Sequence, residues 1–207
     1  MKHVFFIDLD NTIYFTKPNE EQLMSGIYSL LDQLDLGISE EQKQMAKKEM
    51  LTTPFQKIAK KYGFKPEATE RAIEYLSNRS VTATLKPSED YHYIKDLKGR
   101  KFIVTAGFPK QQNSKVIMLG IADDFEEIFV VDAGSSNKKE AFLHLIEKYN
   151  LKKDDILIIG DDADSEIKFG LELRIETFLL DPENLHPNAE STYRGKDLSN
   201  LPIAVGE

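Results

Sequence analysis

Five short stretches of the chain are apolar without alternation: Val4–Asp8, Lys101–Ala106, Ile128–Val131, Ile156–Gly160 and Ile175–Leu180. Continuous runs of this length fit strands covered on both faces. Helical spacing separates the last four. Lys110–Leu119 is one such segment and Ser165–Leu171 a shorter one. Lys138–Tyr149 is the clearest, with Phe142, Leu145, Ile146 and Tyr149 at i, i+3, i+4 and i+7. Strand–helix alternation of this kind predicts an α/β fold, a doubly wound (Rossmann-like) parallel sheet of about five strands.

The pattern changes between the first and second runs. Residues 18–80 carry helical stripes only: Leu23, Ile27, Leu30, Leu31 and Leu34, then Phe55, Ile58, Ala59 and Tyr62. Gly37 supplies a stop, and Ser39 with Gln42 three residues on has the form of a capping box. "TTPF" and "GFKPEATE" punctuate the later helices. These features predict a helical module at 16–87 inserted into a core made of 1–15 and 88–207, with Leu85–Tyr91 as the return linker. The tail from Asp181 holds three of the eight prolines and reads as an irregular surface wrap with at most one short element.

Composition narrows the function. The 207 residues are 41% hydrophobic and 30% charged, with a net charge of -8. Such a surface disfavours nucleic acid and anionic lipid as partners. No cysteine is present, which excludes thiolate metal sites and cysteine nucleophiles. No apolar run nears the ~20 residues of a membrane helix, and Val4–Ile7 is too short for a signal peptide. The expectation is a cytoplasmic protein acting on a small molecule, as a monomer or homodimer.

In an open parallel sheet, ligands bind beyond the C-terminal ends of the strands. The first strand delivers Asp8, Asp10 and Thr12 there; the second delivers Thr105, Ala106 and Gly107; the fourth delivers Asp161 and Asp162, with Asp164 and Glu166 beyond. Lys138 and Lys139 open the helix before the fourth strand. Several carboxylates this close cannot all stay ionised unaided. A hard cation such as Mg²⁺ resolves the repulsion. Thr105 and the N–H groups after it suit a tetrahedral oxyanion, so a phosphomonoester is the expected guest. Asp8 is then placed to take the phosphoryl group, and Asp10 to protonate the leaving oxygen.

"DLDNT", "VTAG", a lysine at a helix start and "IIGDDADSEI", in that order, resemble the four motifs of the haloacid dehalogenase (HAD) superfamily. The resemblance implies that the insertion is an α-helical cap. It implies Asp8 as nucleophile, Asp10 as general acid/base, Thr105 and one lysine as phosphate ligands, and Asp8, Asp161 and the Asp10 carbonyl as Mg²⁺ ligands. An acid two residues after the nucleophile implies the phosphomonoester branches over the dehalogenases. Two positions depart from the pattern. The fifth residue after Asp161 is Glu166 rather than aspartate, so the supporting acid is Glu166, Asp162 or Asp164. The lysine is Lys138 or Lys139, and a helix opening near Asn137 favours Lys138. The layout also resembles the branch containing pyrimidine 5′-nucleotidases, where asparagine often stands at the place of Ala106. This implies a nucleotide monophosphate as one substrate class.

Competing readings are a phosphomutase with the same first steps, a noncatalytic phosphate-binding protein, and a receiver-like protein accepting phosphoryl on Asp132. Calcium loops fail at both acidic clusters, because Ile13 and Ile167 stand where glycine is needed. No nucleophile elbow or glycine-rich nucleotide loop is present. His3, His92, His144 and His186 are scattered and read as incidental. Tyr14, Phe15 and Phe55 face either substrate or the hinge.

Overall fold

The first apolar run becomes β1 (Val4–Ile7), near the middle of a six-stranded sheet in this computed structural model, which describes residues 1–206. The others are β2 (Arg100–Ala106), β3 (Glu127–Val131), β4 (Ile156–Gly160), β5 (Glu176–Leu180) and β6 (Tyr193–Gly195), in the order β3-β2-β1-β4-β5-β6. All pairings are parallel. The sheet thus has six strands, not the expected five. The sixth is three residues long and has no apolar run to announce it. It pairs with β5 over Tyr193–Gly195, and just ahead of it Thr177 N–H donates to Thr192 Oγ1 and Thr192 N–H to Thr177 Oγ1, each at 3.1 Å.

Between β1 and β2 lie α1 (Glu20–Gln33), α2 (Glu40–Glu49), α3 (Phe55–Tyr62) and α4 (Pro66–Asn78). Ser39 caps α2 through a complete capping box with Gln42, and Gly37, at φ +76°, turns the chain before it. These helices bury a core of their own around Ile27, Leu31, Ala46, Ile58, Ala72 and Leu76. The loop ahead of α3 is tied down to the β1 side, since the Leu51 carbonyl accepts from Thr16 Oγ1 at 2.6 Å and from Asn11 Nδ2 at 3.2 Å.

After the insertion come α5 (His92–Lys95), α6 (Pro109–Leu119), α7 (Lys138–Tyr149), α8 (Lys168–Glu172) and α9 (Leu201–Val205). Side chains alternate across a strand, so β1 feeds two cores. Phe5 and Ile7 pack with Ile94, Val116, Leu201 and Val205 on the α5, α6 and α9 face. Val4 and Phe6 pack with Ala141, Phe142 and Leu145 of α7. Phe6 stacks on Phe142 at a centroid distance of 5.5 Å. The helix expected at Ser165–Leu171 is broken: a π-type turn at Ala163–Ile167, with Ser165 outside helical angles, precedes α8. The reason is a tertiary contact, Glu166 with Lys138. Glu166 turns inward, as described below, and an unbroken helix would not point it there.

A candidate active site at the ends of β1, β2 and β4

β2 lies on one side of β1 and β4 on the other, so the chain reverses its direction of winding at β1. That is where an open sheet leaves a crevice. A cavity of about 140 Å³ sits there, floored by Asp8, Asp10, Thr105, Ala106, Lys138, Asp161 and Asp162 and roofed by Leu23, Ile27, Met50 to Lys57 and Leu76. The strand ends expected to converge therefore open onto one space.

Lys138, at the first turn of α7, is buried. Its Nζ donates to Asp8 Oδ1 at 2.6 Å and to Glu166 Oε2 at 2.8 Å. An ammonium has three N–H donors, so one remains for a ligand. Burial opposes its charge, but Asp8 and Glu166 outweigh that and hold Lys138 above the ordinary lysine range. Lys139 points elsewhere, to Glu172 on the surface. Glu166 also accepts from the Asp162 N–H at 2.8 Å. It passes so close to Gly160 that a β-carbon there would sit 2.2 Å from Glu166 Oε1; the glycine ending β4 is the space this acid occupies.

Oxygens of Asp8, Asp161 and Glu166 lie within 4.8 Å of one another. Burial pushes Asp8 up to about 7, with Lys138 pulling down and Glu166 pushing further up. Burial, then Glu166 and Asp8, push Asp161 well above the carboxylate range. Burial and Glu166 also raise Asp162. All-oxygen donors with excess negative charge are what Mg²⁺ favours, so the residues fit that ion. Asp162 uses Oδ1 to accept from the Asp164 N–H, and Asp164 is exposed away from the cavity.

Asp10 differs from Asp8. Its carboxylate stands outside the acidic cluster and accepts from Lys115 Nζ at 2.7 Å, from Gln112 Nε2 at 2.7 Å and from the Tyr14 hydroxyl. Burial opposes ionisation, but Lys115 and the three hydrogen bonds outweigh it and hold Asp10 below the usual range. Tyr14, considered for substrate contact or the hinge, is fully buried and holds Asp10 instead. Gln112 Nε2 also donates to Thr105 Oγ1 at 2.6 Å. Successive strand N–H groups face opposite neighbours. Gly107 N–H goes to Val131 on β3, so that of Ala106 faces the β1 side, where pairing has ended at Ile7–Ile103.

Gln112 and Lys115 escaped the sequence reading. Their positions, three apart on the helix following Thr105, were visible, but nothing in the spacing says that this face meets Asp10 rather than solvent. Thr12 is buried outside the cavity. Asp132 also lies outside it and braces its own turn, accepting from Gly134 N–H and the Ser135 hydroxyl. Phe55 joins the roof, and none of the four histidines lines the cavity.

The pH dependence of stability follows from Asp8 and Asp161. Their carboxyls are raised in the folded state, so between about pH 4 and pH 7 the native protein binds more protons than the unfolded chain. Stability in the absence of divalent ions is therefore expected to fall as pH rises through that window. Mg²⁺ requires ionised ligands. At about 100 times its Kd it is expected to raise Tm by about 5–10 °C near pH 8 and much less near pH 5. Thermal melts with Mg²⁺ or EDTA check this; equal shifts at both pH values would refute it.

A family model for haloacid dehalogenase-like hydrolases matches residues 2–173. A search of curated proteins finds no match. Several solved structures share the fold. YfnB from Bacillus subtilis, described as a HAD-hydrolase bound to magnesium, is 20% identical with a TM-score of 0.69, covering 100% of this chain and 99% of its own. A HAD phosphatase from Thermococcus onnurineus is 20% identical with a TM-score of 0.65, covering 100% and 98%. The L-2-haloacid dehalogenase of Xanthobacter autotrophicus is 13% identical with a TM-score of 0.63, covering 99% and 98%. No helix among the described residues is long and apolar enough to cross a membrane. Because the family model spans most of the sequence and the fold agrees with it from end to end, this chain belongs to the haloacid dehalogenase-like hydrolases.

Proposed function

We propose that the protein is a Mg²⁺-dependent phosphatase of small phosphomonoesters that works through an aspartyl-phosphate. The observation carrying this reading is that Asp8, Asp10, Thr105, Lys138 and Asp161 line one cavity. Asp8 Oδ1 is held by Lys138, which leaves Oδ2 without a hydrogen bond and available to attack phosphorus. The third N–H of Lys138, the Thr105 hydroxyl and the Ala106 N–H receive the phosphoryl oxygens. Asp10 protonates the departing alkoxide, then takes a proton from the water that attacks the aspartyl-phosphate. Mg²⁺ held by Asp8, Asp161 and the Asp10 carbonyl, with Glu166 and Asp162 supporting, would supply positive charge between the nucleophile and the anionic substrate.

Dehalogenation fits the site less well. A halide leaves without a proton, so the acid role for which Asp10 is placed has no use in that reaction. The cavity is also smaller than the roughly 300–1,000 Å³ typical of ligand pockets. This favours substrates with few atoms beyond the phosphate over a nucleotide monophosphate, unless the insertion helices open.

The test is phosphate release from a panel of phosphomonoesters, from short-chain acid and polyol phosphates to nucleotide monophosphates, with Mg²⁺ and with EDTA. Mg²⁺-dependent release is expected from the smaller members. Halide release from 2-haloacids without phosphate release, or isomerised phosphate ester with no free phosphate, would overturn the reading.

A further inference from the structure

A carboxylate offers about four lone-pair positions. At Asp10 three are taken. Lys115 Nζ and the Tyr14 hydroxyl both donate to Oδ1, and Gln112 Nε2 donates to Oδ2. Oδ1 is thus filled, and Oδ2 keeps one position open. An ionised carboxylate only accepts, so the Gln112 atom facing it is the amide nitrogen. The same nitrogen reaches Thr105 Oγ1, which must therefore accept as well and turn its own hydrogen away from Gln112. One amide in this way fixes both the acid and the hydroxyl.

Lys115 is buried, 8% exposed, and Asp10 is its one ion-pair partner among the described residues. A buried ion pair is no better for stability than packed apolar side chains of similar volume. Its neighbours Val116 and Leu119 show that apolar packing suits this helix. A lysine here needs a reason other than stability.

We propose that Lys115, with Gln112 beside it on α6, is a positioning residue for acid–base chemistry. It anchors Oδ1, so that Oδ2 is the oxygen that works. Oδ2 first takes up the proton that the monoanionic form of the phosphomonoester brings into the site, and as the Asp8–phosphorus bond forms and the ester P–O bond breaks, that proton passes to the leaving oxygen. As water attacks and the Asp8–phosphorus bond breaks, Oδ2 takes a proton from that water, replacing the one given. The inference rests on the phosphatase reading above and names a residue pair that reading does not require.

The experiment compares kcat/KM for an alkyl phosphomonoester, whose leaving group needs a proton, with that for p-nitrophenyl phosphate, whose leaving group does not. Lys115→Met is expected to lose about 100-fold on the alkyl ester and at least tenfold less than that on the aryl ester. In an Asp10→Asn background, Lys115→Met is expected to add less than about threefold on the alkyl ester, because its route of action is already gone. Equal losses on both esters, or a full additional loss on top of Asp10→Asn, would overturn the assignment. Should Lys115→Met not fold, Lys115→Gln, which keeps an N–H donor, is read on the same two substrates. A wild type inactive on both esters defeats the phosphatase reading and this inference with it; a wild type active on both with an unselective variant defeats this inference alone.

Discussion

Asp8→Asn is expected to lower Mg²⁺-dependent phosphate release by on the order of 10⁴-fold, with the protein still folded. Asparagine has the same shape as aspartate, and its carbonyl can still accept from Lys138, so the buried lysine keeps a partner. What is lost is the nucleophile, because a neutral amide does not accept a phosphoryl group. Stability should not suffer. Burial already pushes the Asp8 carboxyl up to about 7, so near neutral pH the folded state gains when that acid is replaced by a neutral group. The variant should therefore melt at or above the wild-type temperature at pH 8 without divalent ions. This pairing of a dead enzyme with an intact fold separates a chemical role from a structural one. Phosphate release within tenfold of wild type would remove Asp8 from the reaction.

The parts of this molecule that could be read from the sequence are those fixed by local periodicity. The β4 run, Ile156–Gly160, and the α7 stripe, Lys138–Tyr149, keep their bounds in the structure. β1 to β3 and β5 shift by one residue at an end, because strand ends are set by the neighbouring strand rather than by their own side chains. β6 was illegible for the same reason: "YRG" joins the sheet by pairing with β5, flanked by the Thr177–Thr192 bonds, and has no apolar run of its own. The π-type turn at Ala163–Ile167 was hidden because its cause, the inward path of Glu166 to Lys138, runs across 28 residues of sequence.

The candidate site divides along the same line. Asp8, Thr105, Lys138 and Asp161 were readable because each ends a strand or opens a helix, and topology alone brings such ends together. The grip of Lys115, Gln112 and Tyr14 on Asp10 was not, because it depends on the rotation of α6 about its own axis. That rotation is set by Val116 and Leu119 packing into the core on the β1 side, and side-chain spacing alone does not reveal which polar residues it then turns toward the cavity.

Lys138→Met is expected to produce the largest loss of stability. Lys138 stands between two buried carboxylates, Asp8 and Glu166, with Asp161 beside them. Methionine fills much of the volume but removes the only ammonium bonded to this cluster among the described residues, leaving like charges facing one another in a buried site. Breaking a buried pair in this way costs about 3–5 kcal/mol, or a drop in Tm of about 6–20 °C for a chain of this length. The sign with pH is fixed. Without the lysine, the folded-state Asp8 and Asp161 carboxyls rise further above their unfolded values, so the native variant binds protons that the unfolded chain does not. Its deficit relative to wild type should be greatest at pH 8 and should shrink as pH falls toward 5, where the carboxylates protonate and the missing cation no longer matters. Mg²⁺ should also shrink the deficit at pH 8, since it supplies positive charge to the same oxygens. Thermal melts of both proteins at pH 5 and pH 8, with and without Mg²⁺, measure all three effects. A deficit that does not change with pH would mean that Lys138 contributes by packing, and that the carboxylates around it are not ionised in the folded protein.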